Sequence, residues 1–332
     1  MHENQMIQAL DACAKRRDER RAFLRTASTS AVAAGGLVML SGCFEDKSDF
    51  PSPDKVGTPT PTPGQGAQLT DADILNFALN LEYLEAQFYS FAAFGTGLDA
   101  SLLGGTGTQG QVTGGRKVTF TDPVVARYAV EIAQDEVAHV RFLRQALGNS
   151  AVAQPAIDVG ASATGAFSAA ARSAGLINSN QAFDPYSSDE NFLLGAFIFE
   201  DVGVTAYKGA APLITSKMFL EAAAGILAAE AYHAGLIRTV LFAKGVQTPT
   251  LRDATESIST ARDSLDGPTD IDQGVRPTAG VSNIVPTDDD GLAFSRSAGQ
   301  VLNIAYLNRM AVERGGFFPA GVNGNIKVSA AN

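Results

Sequence analysis

Glu136-Val137-Ala138-His139 and Glu230-Ala231-Tyr232-His233 are two copies of Glu-x-x-His in a chain that has only three histidines. Glu accounts for 13 of the 332 residues, so finding it three places before both histidines has a chance on the order of one in 600. Each tetrapeptide sits inside a run of helical periodicity. Tyr128, Ile132, His139 and Phe142 mark one such run, and a second extends from about Ser216 to Ala243. Residues at i and i+3 share a helix face, so each Glu can reach the same ion as its His. Carboxylate oxygen and imidazole nitrogen are the donors that suit iron or manganese.

Two further acids fit the same pattern. Glu82 follows Phe77-Ala78-Leu79-Asn80-Leu81, and Glu200 follows Phe197-Ile198-Phe199. A lone carboxylate buried in such a run costs several kcal/mol unless it is paired or metal-bound. Each has a tyrosine seven residues on, Tyr89 and Tyr207. The chain therefore repeats one unit, with Glu-x6-Tyr on one helix and Glu-x-x-His on the next. Glu85, one turn beyond Glu82, competes with it as a ligand. The repeat favours Glu82, because the position that corresponds to Glu85 is Gly203. Tyr89 and Tyr207 can either hydrogen-bond site carboxylates or fill core. Asp135 can either orient a histidine from the opposite helix or stand in solvent.

The rest of the chain reads as helices. Thr70-Asp71-Ala72-Asp73 opens the first helix with an N-cap and early acids, and the periodicity carries it to about Phe91. A Gly- and Thr-rich loop covers residues 94–120 without a phosphate-binding pattern. The second helix starts at Thr121-Asp122-Pro123 and ends near Leu147. A long connection, 148–188, holds an Ala-rich piece near 162–174. A third helix runs from Ser188-Asp189 to about Ala210, Pro212 interrupts, and the fourth follows, with Gly245 as its expected C-cap. Residues 246–290 read as loop, and a last helix is expected over about 292–312, ahead of an irregular tail. No strand pattern is long enough for a sheet.

This pattern resembles the ferritin-like di-metal carboxylate superfamily, in which two helices give one Glu each and two give Glu-x-x-His. Within it, the layout is similar to the bacterial and plant desiccation-related proteins. The resemblance covers about residues 70–245. It implies an all-α, ferritin-like four-helix bundle with a long crossover connection and an extra C-terminal helix. Glu82 and Glu200 match the single-Glu positions, and Glu136, His139, Glu230 and His233 match the paired ones. Two iron or two manganese ions are the implied cofactors, and peroxide or O2 the implied reaction partner. A protective role in drying or oxidative stress follows from the narrower resemblance, with turnover or with metal binding alone. A structural envelope protein that kept the bundle is a third expectation. The chain's length and insertions argue against a hollow cage and leave a smaller homo-oligomer open. No catalytic residue stands out beyond the ligands.

Composition narrows the function further. The formal net charge is -10, which excludes a phosphate-binding surface and hence a nucleic-acid partner. The two cysteines are Cys13 and Cys43, so residues 44–332 cannot build a thiolate-held iron–sulfur centre. Arg20-Arg21-Ala22-Phe23-Leu24-Arg25, with the apolar Ala31 to Leu40 after it, resembles a twin-arginine export signal. Leu40-Ser41-Gly42-Cys43 resembles a lipobox, with Cys43 as the lipidated residue. Residues 1–43 are thus expected to be an export signal. Residues 44–68, with Pro51, Pro53, Pro59, Pro61 and Pro63, read as a tether, 69–245 as the bundle and 246–332 as an extension with one helix. The expected location is the periplasm or cell envelope, on a lipid anchor.

Overall fold

The computed structural model describes residues 69–332. The readings of the export signal, of Cys43 and of the tether lie outside the described residues. Helix α1 (Asp71–Phe94) starts on a capping box: the Thr70 side chain accepts from the Asp73 amide at 3.2 Å, and Asp73 accepts from the Thr70 amide at 2.9 Å. Helix α2 (Pro123–Leu147) places proline at its first turn behind an Asp122 cap. Short α3 (Ala166–Ser173) lies within the connection. Helix α4 (Asp189–Ala210) is capped by Ser188 and α5 (Lys217–Gln247) by Ser216. Helices α6 (Pro249–Asp266) and α7 (Ala298–Ala305) follow.

The four long helices divide by how they are buried. α1 and α4 are buried around most of their circumference, while α2 and α5 each bury one face. Helices that are apolar all round belong inside, and amphipathic ones at the rim. α1 packs mainly on α2, and α4 on α5. The crossover between these two pairs gives the topology its ferritin-like character. Phe88 of α1 binds the pairs together, stacking on Phe192 at 5.7 Å and meeting Phe199 edge-on at 5.6 Å.

Strand structure among the described residues is minimal. β1 (Val112–Thr113) pairs in parallel with β2 (Ile157–Asp158), Val112 opposite Ile157. This pairing joins the 94–122 loop to the long connection. Gln87 of α1 reinforces it from below, its amide donating to the Gln154 side chain at 2.5 Å.

The C-terminal region departs from the sequence expectation. Residues 249–266 form α6 rather than loop, so the extension carries two helices. The face that α6 buries includes Thr255, Ser259, Arg262 and Asp266 beside Leu251, Ala254 and Ile258. Polar residues on a buried face hide the helical period from a hydrophobicity reading. Gly245 does not cap α5, which runs on to Gln247; its carbonyl instead accepts from Arg252 Nε of α6 at 2.8 Å. The last helix is shorter than expected, ending at Ala305 where Leu307 takes φ +54°.

Buried charge fastens this extension to the bundle. Arg296 donates to Asp266 at 2.6 Å and to Asp272 at 2.8 Å. Arg262 bonds Asp201 at 3.2 Å, and Arg238 bonds Asp201 at 2.7 Å. Arg238 also donates to the carbonyls of Gln273, Gly274, Asn283 and Ile284. Gly209 of α4 admits the chain here, since a Cβ on it would lie 1.9 Å from the Arg296 carbonyl oxygen. Removing one member of a buried ion pair strands its partner. Arg296→Ala is therefore expected to lower the unfolding free energy by about 3–5 kcal/mol, read by urea denaturation. A loss under about 1 kcal/mol would mean the network is not a fastener.

Candidate metal centre

α1, α2, α4 and α5 each bring acids to the centre of the bundle. Glu82, Glu136 and Glu230 are fully buried, and Glu200 nearly so. His139 turns Nδ1 toward three of them: Glu82 Oε2 at 3.2 Å, Glu230 Oε1 at 3.4 Å and Glu136 Oε2 at 3.7 Å. His233 turns Nδ1 toward Glu136 Oε1 at 3.1 Å and Glu200 Oε2 at 3.7 Å. The two rings are 6.1 Å apart. Glu136 thus lies between the histidines, one oxygen toward each.

These donors form two groups that could each hold a cation. Glu82, Glu136, His139 and Glu230 make one, and Glu136, Glu200 and His233 make the other, sharing Glu136. The structure brings together all six residues singled out in the sequence. Both oxygens of Glu136, both of Glu230, Glu200 Oε2 and His233 Nδ1 are buried and accept or donate no hydrogen bond. Leaving one such group unsatisfied costs about 1–3 kcal/mol, and more if it is charged. Six converging on one point fit a cation site. The donors are oxygen and imidazole without thiolate, a set for hard or borderline divalent cations.

Tyrosines complete the site in a crossed arrangement. Tyr89 of α1 donates to Glu200 Oε1 of α4, and Tyr207 of α4 donates to Glu82 Oε1 of α1. Each single-Glu helix thereby anchors the other's carboxylate and leaves its second oxygen facing the histidine side. Asp135 lies 3.4 Å from Nε2 of His233, where it can fix the ring's orientation.

Glu85 is the fifth buried acid, 5% exposed. It belongs to neither donor group, whereas Glu82 belongs to one. The sequence marks it only as a competitor of Glu82. The signal was present in Glu-x-x-Glu inside an apolar run, which cannot by itself support two unpaired carboxylates.

The electrostatics follow from burial. Burial, with neighbouring Glu136 and Glu230, pushes Glu82 up to about 8 against the pull of His139. Burial also raises Glu200 and Glu230, and adjoining carboxylates add to it. For Glu85 burial is again the largest cause, and every nearby acid raises it further. Burial raises Glu136 too, but the close approach of both histidines outweighs it and brings the carboxyl down to about 2. Burial works against protonating the histidines, but the surrounding carboxylates hold both well above the usual imidazole range.

Residues 70–243 match the family model described as a ferritin-like domain. The chain belongs to the ferritin-like domain family. It is similar to desiccation-related protein PCC13-62 of Craterostigma plantagineum, at 30% identity over 77% of this chain and 83% of that one. It is also similar to ferritin-like catalase Nec2 of Nesocodon mauritianus, at 27% identity over 87% of this chain and 92% of that one. No solved structure matches it.

A site whose acids and histidines hold protons must release them when cations enter. Metal loading at pH 7 is expected to release protons, seen by titration calorimetry in buffers of different ionisation enthalpy. Apparent affinity should fall as pH drops from 8 to 6, because protons compete for the same raised-pKa groups. Proton-neutral loading would contradict this picture.

Proposed function

We propose that this chain binds two iron or two manganese ions and protects against oxidative or drying stress by disproportionating hydrogen peroxide. The observation that carries the reading is the convergence of buried carboxylate and imidazole atoms without a protein hydrogen-bond partner. Glu82, Glu136, His139 and Glu230 would hold one ion, and Glu200, His233 and Glu136 the other. Four carboxylates against two dications leave the site near neutrality, which a buried centre requires. A bound pair of redox metals supplies the electron changes by which one peroxide is oxidised to dioxygen and another reduced to water.

The protein's own part is positioning. Tyr89 and Tyr207 lock the terminal carboxylates, and Asp135 orients His233. Helices rather than loops carry every donor, which keeps the constellation rigid. Peroxide disproportionation needs no external electron donor, in keeping with residues 44–332 having no cysteine. The name of the catalase relative supports peroxide as substrate. The name of the desiccation-related relative supports protection against drying; metal binding without turnover is the second reading. We place the protein in the cell envelope, exported by the twin-arginine route and held by lipid at Cys43. This reading rests on the signal-like residues 20–43.

Elemental analysis of protein purified without added metal should find about two iron or manganese ions per chain. The His139→Ala, His233→Ala double variant should lose them, with circular dichroism showing the bundle intact. Peroxide consumption tracking metal content supports catalysis, whereas full metal without consumption supports the second reading. A folded wild-type protein free of metal would refute both.

A further inference from the structure

The six residues of the candidate centre leave one side of it unexplained. Gly203 sits on α4 one turn beyond Glu200, at the bundle's centre. A Cβ placed on it would lie 2.8 Å from Glu230 Oε2 and 3.5 Å from Glu85 Oε1. Gly203 thus packs directly against Glu230, one of the centre's donors, and lies near a fifth acid that belongs to no donor group.

A cavity of about 30 Å³ lies beside these residues, lined by both Glu85 and Gly203. It exceeds what one water needs and suits a molecule of two heavy atoms. Its walls are apolar, formed by Leu84, Val202, Ile304 and Phe317 among others. Glu85 is the single polar side chain in the lining. It is 5% exposed, and no other side chain in the lining can hydrogen-bond it. The far side is closed by α7, through Val301, Ile304 and Ala305, and by Phe317. The C-terminal extension, which the four-helix bundle does not need for its ligands, therefore covers this cavity.

We propose that the cavity between Glu85 and Gly203 seats hydrogen peroxide beside the metal-holding carboxylates, with Glu85 as its hydrogen-bonding partner. This rests on the peroxide reading above and adds where the substrate sits. Apolar walls reject ions, because a charge there would be desolvated without a counter-charge. The size rejects larger peroxides. One carboxyl in an otherwise apolar pocket favours a neutral molecule that can both donate and accept. Gly203, by its lack of a side chain, lets Glu230 pack against the backbone that walls the cavity.

The test uses the full-length, metal-loaded protein and three variants. Glu85→Gln keeps the shape and weakens the polar contact. Gly203→Ala closes the cavity at the Glu230 side, and Ala305→Leu fills it from α7, away from every ligand. Glu85→Gln and Ala305→Leu should retain about two ions per chain, whereas Gly203→Ala, whose Cβ would press on Glu230, is read by xenon alone. Glu85→Gln should lower kcat/KM for peroxide roughly tenfold. Ala305→Leu should raise KM by tenfold or more with little change in kcat, as expected when substrate space is lost. Crystals of the metal-free protein under xenon pressure supply a readout independent of activity: a peak in the cavity of the wild type, absent in Gly203→Ala and Ala305→Leu. Unchanged KM in Ala305→Leu at full metal content, or no xenon peak in the wild type, would overturn the proposal. A wild-type protein that shows the xenon peak but binds no metal or consumes no peroxide would instead refute the function on which it rests.

Discussion

Four carboxylates buried beside two imidazoles at the centre of a bundle repel one another unless protons or cations stand between them. That repulsion organises the molecule. It explains why burial and mutual proximity raise Glu82, Glu200 and Glu230 while Glu136, lying between both histidines, stays anionic. It also explains why so many donor atoms end without a partner in an otherwise well-satisfied core. A protein that only needed to fold would fill this space with leucine.

The surrounding structure serves to hold that strained centre in one geometry. Two helix pairs, α1–α2 and α4–α5, repeat the same unit, and the tyrosines exchange partners between them. Because Tyr89 serves Glu200 and Tyr207 serves Glu82, neither pair can complete its half alone. The C-terminal extension adds a second layer. Asp201, the residue after Glu200, receives both Arg238 and Arg262, so the ligand-bearing turn of α4 is tied on its outer face to α6 and the segment beyond it. The same extension brings α7 over Gly203. Packing of the extension and shape of the centre are thus mechanically linked.

Much of this was readable in the sequence, for physical reasons that differ by residue. His139 and His233 stood out because histidine is scarce here and both have Glu at the spacing of one helix face. Glu82 and Glu200 stood out because charge inside an apolar run needs a reason. Tyr89 and Tyr207 emerged from the repeat, but their crossed pairing required the helices' placement. α6 was missed because its buried face is built from Thr255, Ser259, Arg262 and Asp266, whose burial depends on partners distant in sequence, such as Arg296 and Asp272. The role of Gly203 was invisible because a glycine in a helix carries no signal until the atoms facing it, Glu230 and Glu85, are known.

Anomalous diffraction from crystals of the protein purified without added metal, collected at the iron and manganese edges, tests the central claim most directly. The account predicts two peaks about 3.5–4 Å apart. One should lie against Glu82 and His139 and the other against Glu200 and His233, with Glu136 between them. A folded bundle with no peak there, or with metal bound elsewhere, would contradict it.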